Sequence, residues 1–166
     1  MLVPLLSQCQ AQPQFNLTAI SFHDNSSRLE CWAMAALPKL GAGAVNFPIG
    51  DFTGGSIGII PPHTYSSSTI RHAPAVQYSL VLSGLVHIRI PNSTLSPEQS
   101  EAWIVGGKYG ILIAADTVDV SKAGHVTEFP SSDDTVIAQF PIPGNKVPEH
   151  RLLYTGPCKM EELVGL

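Results

Sequence analysis

"SSTIRHAPAVQYSLVLSG", residues 67 to 84, decides how the chain is read. Its second half, "VQYSLVLSG" (76–84), is a β-rich run closed by Ser83-Gly84, a turn signal. "LVHIRIP" (85–91) follows at once and alternates Val86, Ile88 and Ile90 against His87 and Arg89. Such alternation marks a half-buried antiparallel strand, so the two runs predict a hairpin, with His87 facing solvent or an interface. By the same parity Gln77 shares a face with Ser79, Val81 and Ser83, while Tyr78 points the other way, into packing.

The pattern recurs on both sides. "FNLTAISF" (15–22), "SIGIIPP" (56–62), "GHVTEF" (124–129) and "TVIAQFPIPG" (135–144) read as strands, and "AWIVGGKYGILIAAD" (102–116) as two short strands around a Gly pair. "HDNSSR" (23–28) is a turn. "LECWAMAALP" (29–38) fits a helix by its Ala and Leu content and a strand by its position. "KLGAGAVNFPIGDFTGG" (39–55) is loop with a short strand inside, and the tail from 148 ends in a short helix from about Cys158. Short strands spaced by about 8–15 residues, with turn signals between, predict an all-β sandwich or barrel. Residues 1–14 form a loose N-terminal arm and 15–166 one domain.

Composition agrees. Of 166 residues, 13% are charged, roughly half the usual share of about 25%. Fourteen Gly and fourteen Pro supply tight turns. The net charge is −4 and no Lys/Arg cluster occurs, which excludes a nucleic-acid partner. No apolar run approaches the ~20 residues of a membrane span. "MLVPLLSQCQAQ" (1–12) is apolar, but Pro4 and Ser7 break it and no basic residue precedes it, so it makes a weak secretion signal. Three Asn-x-Ser/Thr sequons start at Asn16, Asn25 and Asn92 and matter only in a secreted protein. The expected location is cytoplasmic, with secretion left open. Cys9, Cys31 and Cys158 are odd in number and lack zinc spacing, so they read as free buried thiols. Were the first dozen residues removed, Cys31 and Cys158 would remain as a pair.

The stretch 56–142 resembles a cupin, the small jelly-roll barrel built as a double-stranded β-helix. Cupins carry a His-x-His pair, a Glu three or four residues on, and a Gly seven residues after the Glu. A second motif adds a His after a Gly-rich turn. Here Gln77 takes the Glu position, because Gly84 follows at that distance, and His125 in "KAGHVTEF" takes the second-motif position. "IIPPHTYSSSTIRHAPAVQYSLVLSG" (59–84) is similar to short fungal cupins of polyketide pathways, and Tyr78 matches a Tyr in them. The first-motif His positions fall on Ile70 and His72 with one spacer and on Arg71 and Ala73 with the other, so at most one His survives.

The resemblance implies a site of His72, Gln77 and His125, with His63 from the neighbouring Pro-Pro turn as a substitute ligand. Those four would hold one Fe, Mn, Ni or Zn ion for oxygenation or a Lewis-acid rearrangement. Gln77 keeps an oxygen ligand but loses the carboxylate charge, which weakens such a site. In the alternative no cofactor is bound. His72 and His125 then act as an acid/base pair near neutral pH, suited to an isomerase, dehydratase or cyclase. Arg71, Val81 and Tyr109 join Gln77 in substrate binding, with Arg71, Tyr78 or Tyr109 able to polarise a carbonyl or phenol oxygen. A third reading is a small-molecule-binding cupin without turnover. A homodimer is the expected assembly. His23 and His150 lie in polar turns and carry no expected role, and His63 also reads as a surface-loop residue.

Overall fold

The computed structural model describes residues 13–65 and 69–163. Cys9, most of the expected N-terminal arm, the start of the Ser-rich turn and the last three residues lie outside the described residues. β1 (Asn16–His23) and β2 (Ser26–Met34) form a hairpin, and β3 (Lys39–Gly41) and β4 (Ala44–Asn46) a smaller one. There follow β5 (Ser56–Ile60), β6 (Gln77–Ser83), β7 (Leu85–Arg89), one helical turn (Pro97–Ser100), β8 (Glu101–Val105) and β9 (Ile111–Ala114). β10 (Val126–Glu128), β11 (Thr135–Pro141) and β12 (His150–Thr155) complete the strands. The chain is therefore predominantly β, as expected. The segment from 29 resolves to strand, and the C-terminal helix is a single 3-10 turn, Met160–Glu162. β12 was not foreseen.

A seven-stranded sheet runs β12-β2-β1-β9-β6-β11-β5, antiparallel except for the β1–β9 pair, and a three-stranded sheet runs β10-β7-β8. Neither closes on itself. β6 and β7 are not the expected hairpin: β6 pairs with β9 and β11, while β7 pairs with β8 and β10. Ser83-Gly84 is instead the corner where the chain leaves one sheet for the other. Gly84 has φ +86°, and a Cβ there would collide with Thr135 of β11. Alternation had placed Val86, Ile88 and Ile90 in the core correctly, but it carries no information about which strand lies alongside.

While Ile57 and Ile59 of the edge strand β5 stay exposed, the inner strands of the large sheet are buried on both faces. On one, Ile20, Leu29, Val81, Leu112 and Ala114 meet Val86, Ile88, Ala102 and Ile104 of the small sheet. On the other, Leu17, Trp32, Tyr78 and Ile113 pack under Phe47, Ile49 and Phe52 of the 47–52 loop. Two-sided burial explains why "LECWAM" lacks clean alternation: apolar residues stand on both faces, and the one charge, Glu30, is buried with hydrogen bonds from Arg28 and Trp32 Nε1.

Cys31 of β2 and Cys158 form a disulfide spanning 127 positions of sequence. The free-thiol expectation fails for this pair. Cys158 follows β12, and that strand's pairing with β2 brings the two cysteines together, a contact no local signal announces. His87 also departs from expectation. Its ring is buried, stacked on Trp103 at 3.8 Å between centroids, with Nδ1 3.2 Å from Glu128 and Nε2 3.1 Å from Glu101. The polar side of β7 is thus roofed by its neighbours.

Two expectations follow. Converting Cys31 and Cys158 together to Ser is expected to cost about 2–5 kcal/mol, read as a lower denaturant midpoint, because a long closed loop is released in the unfolded chain. The hydrogen bond from Arg89 holds the Glu128 carboxyl below its ordinary value of 4.5, against opposing burial, and His87 adds to the lowering. That stabilisation is present above the ordinary value and disappears as pH falls through the depressed one. Glu128→Gln should therefore flatten part of the acid limb of a stability-against-pH curve.

Candidate functional site

A cavity of about 350 Å³ opens between the two sheets. Strand parity builds its floor: Gln77, Ser79 and Val81 of β6 line it, while Tyr78 faces the opposite core, edge-on to Phe52 at 5.9 Å. Burial pushes the Tyr78 phenol up to about 12, so it stays neutral and serves packing, as its parity implied. Ile20, Val86, Ile88, Leu112 and Phe129 supply apolar wall.

The segment 71–73 forms the rim. Arg71 and His125 exchange two backbone hydrogen bonds of 2.8 Å each, and Ala73 bridges Thr117. Gly124, at φ +66°, permits the first of these, since a Cβ there would run into the Arg71 carbonyl. Arg71, His72 and His125, 53 positions apart between the two His, consequently line one cavity. The sequence-derived grouping of His72, Gln77, His125, Arg71 and Val81 is thus brought together in space.

Two members of the expected set are not. His63 is exposed, with φ +52° and its ring beside Tyr65 at 6.4 Å, and it does not line the cavity. The Pro-Pro turn points it away. Tyr109 packs against the Cys31–Cys158 cluster with the Lys108 ammonium 5.3 Å from its ring centre. The Gly106-Gly107 turn before it carries Tyr109 past the end of the small sheet, away from the cavity.

Sequence reasoning missed Asp116. It directly follows β9 and Ala115, is 0% exposed, and accepts a 2.6 Å hydrogen bond from His125 Nδ1 and another of 2.6 Å from the Ser27 hydroxyl. Ser27 also meets Ser121 at 2.8 Å, and Ser121 accepts the Gly124 N–H at 3.2 Å. A chain of polar contacts thus runs from the β1–β2 hairpin through Asp116 to the loop that presents His125. The available signal was a lone carboxylate closing the apolar run "ILIAAD": a buried charge needs a partner. Because Nδ1 donates to Asp116, the remaining ring nitrogen, Nε2, is the acceptor, and no described residue hydrogen-bonds it. His72 Nε2 is buried and likewise unpartnered.

A divalent ion needs three or four ligands and benefits from negative charge among them. The cavity offers two imidazoles and the neutral amide of Gln77, while the Asp116 carboxylate is engaged behind His125. Among the described residues no three His, Cys, Asp or Glu side chains converge as a metal-binding group. Two imidazoles and an uncharged amide make a lean donor set for Fe, Mn, Ni or Zn, and the chemistry proposed below uses side chains alone. Among the described residues no helix is long and apolar enough to cross a membrane.

No family profile, curated protein or solved structure matches the chain.

Asp116→Ala should strand Ser27 and His125 inside the protein. The expected loss, from chemical denaturation, is about 3–5 kcal/mol, with a smaller loss for Asp116→Asn, which keeps an acceptor oxygen.

Proposed function

We propose that the chain is a cupin-type enzyme that moves protons on a small, mainly apolar, polyketide-like carbonyl or phenol compound. The reaction class is isomerisation, dehydration or cyclisation. The observation that carries this reading is the buried Asp116–His125 pair, whose imidazole Nε2 has no hydrogen-bond partner among the described residues and lies beside an apolar cavity. A carboxylate on Nδ1 holds the ring in one tautomer and orientation, and it stabilises the imidazolium formed when Nε2 takes a proton. Positioned proton transfer of this kind contributes typically about 10²–10⁴-fold in rate.

The other residues have roles that follow from placement. His72, with Nε2 buried and unpartnered, supplies the second proton-transfer group, returning a proton to the substrate at another atom. The Gln77 amide, 5% exposed, and the Arg71 guanidinium offer hydrogen bonds to an oxygen that gains charge. The apolar wall excludes water and selects a mainly apolar ligand. The cupin assignment is supported by the Gln77–Gly84 spacing, by two sheets facing across one cavity, and by His125 lying on its rim.

The test is carbon-bound hydrogen exchange. The protein, in D₂O, is offered a panel of small enolisable ketones and acyl phenols, and deuterium incorporation is followed by mass spectrometry beside ligand binding by NMR. Exchange that His125→Ala abolishes and His72→Ala cuts sharply, with binding retained, is the expected result. Binding without exchange in the wild type would favour a plain binding protein. About one metal ion per chain by elemental analysis, lost in His125→Ala, would reinstate metal-dependent oxygenation and overturn the proposal.

A further inference from the structure

The three sequons and the disulfide, read together on the fold, lead beyond the cavity. We propose that this protein matures in an oxidising, glycosylating compartment, where Asn25 and Asn92 carry N-linked glycans and Asn16 does not.

The disulfide supplies the compartment. Cys31 and Cys158 are both buried in one small cluster with Leu163, and their bond ties the C-terminal segment to β2, the strand next to one edge of the large sheet. A structural bond of this kind forms and persists outside the reducing cytosol. Its formation balances by exchange: the two thiols reduce a disulfide-bearing oxidant to its dithiol and become the Cys31–Cys158 bond.

The folded positions distinguish the sequons. Asn25 sits at the tip of the β1–β2 hairpin and Asn92 in the turn after β7, and both are exposed. Both have left-handed backbone, φ +61° and +56°, which sets each side chain on a tight turn with solvent around it. Asn16 differs in its own surroundings, although the third residue of the Asn25 sequon, Ser27, is buried as Thr18 is. It lies within β1, its Nδ2 donates a 2.9 Å hydrogen bond to the Glu162 carbonyl, and its Oδ1 is buried. Thr18, the third residue of that sequon, is 1% exposed and accepts the Cys158 N–H at 3.0 Å. The Asn16 sequon is therefore used to dock the same segment that the disulfide anchors, and a glycan on Nδ2 would prevent that docking.

Glycan transfer would place a bond from Asn Nδ2 to the anomeric carbon of a lipid-pyrophosphate oligosaccharide. The carbon–oxygen bond to the pyrophosphate breaks, the amide loses one proton, and the lipid pyrophosphate leaves. The sugar would stand on surface turns, where it adds solubility without entering either core.

The deciding experiment uses the full-length protein from its native source, with thiols blocked at lysis and no reductant. Peptide mapping by mass spectrometry is run before and after peptide N-glycosidase treatment. The expected map contains a linked Cys31–Cys158 peptide, Asn-to-Asp conversion at Asn25 and Asn92 on deglycosylation, and unmodified Asn16. Free Cys31 and Cys158 would overturn the compartment. Unmodified Asn25 and Asn92 would overturn the glycan assignment, modification at one alone would overturn it at the other, and a glycan on Asn16 would overturn the selectivity.

Discussion

A carboxylate shut away from solvent must find hydrogen-bond donors, and Asp116 finds them in Ser27 and His125. Much of the cavity's organisation depends on that requirement. Ser27 lies just past the β1–β2 turn, His125 on a loop more than a hundred positions from the chain's start, and Ser121 between them in space. Both donors meet one oxygen, Oδ2, while Oδ1 is buried without a partner among the described residues; the pair of bonds pins the presenting loop against the large sheet and leaves His125 Nε2 without a described partner. Structural necessity and chemical opportunity coincide in the same group.

The second organising constraint is the period of a strand. Because successive side chains alternate, one run of β6 contributes to two environments: Gln77, Ser79 and Val81 to the cavity, Tyr78 to a solid aromatic core. The large sheet can then be rigid on one face and partly hollow on the other. The solid face, closed by the 47–52 loop, resists collapse of the hollow one. The disulfide and the Asn16–Glu162 hydrogen bond hold the C-terminal segment against the same sheet.

The candidate site was readable to the extent that it is local. Gln77, Val81, Arg71 and His72 lie within one short stretch; parity placed Val81 with Gln77, and the cupin resemblance brought in His72 and, after a Gly-rich turn, His125. His63 and Tyr109 are near site residues in sequence, but the Pro-Pro turn and the Gly106-Gly107 turn direct them elsewhere. The β6–β7 hairpin failed because a two-residue turn signal is compatible with both a hairpin and a crossing between sheets. Asp116 was missed, and the Cys31–Cys158 bond stood only as an alternative to free thiols, because each is defined by a distant partner.

The sequence by itself determined the β character, most strand positions and the division of β6 between a Gln77–Ser79–Val81 face and a Tyr78 face. Those follow from short-range properties: alternation, β-branched content and the backbone freedom of Gly and the stiffness of Pro. Only the tertiary structure decided which strands are neighbours, that Asp116 stands behind His125, that Cys31 meets Cys158, and which Asn side chains face solvent. These are pairings between residues far apart in the chain. They arise from burying both faces of one sheet at once, which no local pattern encodes.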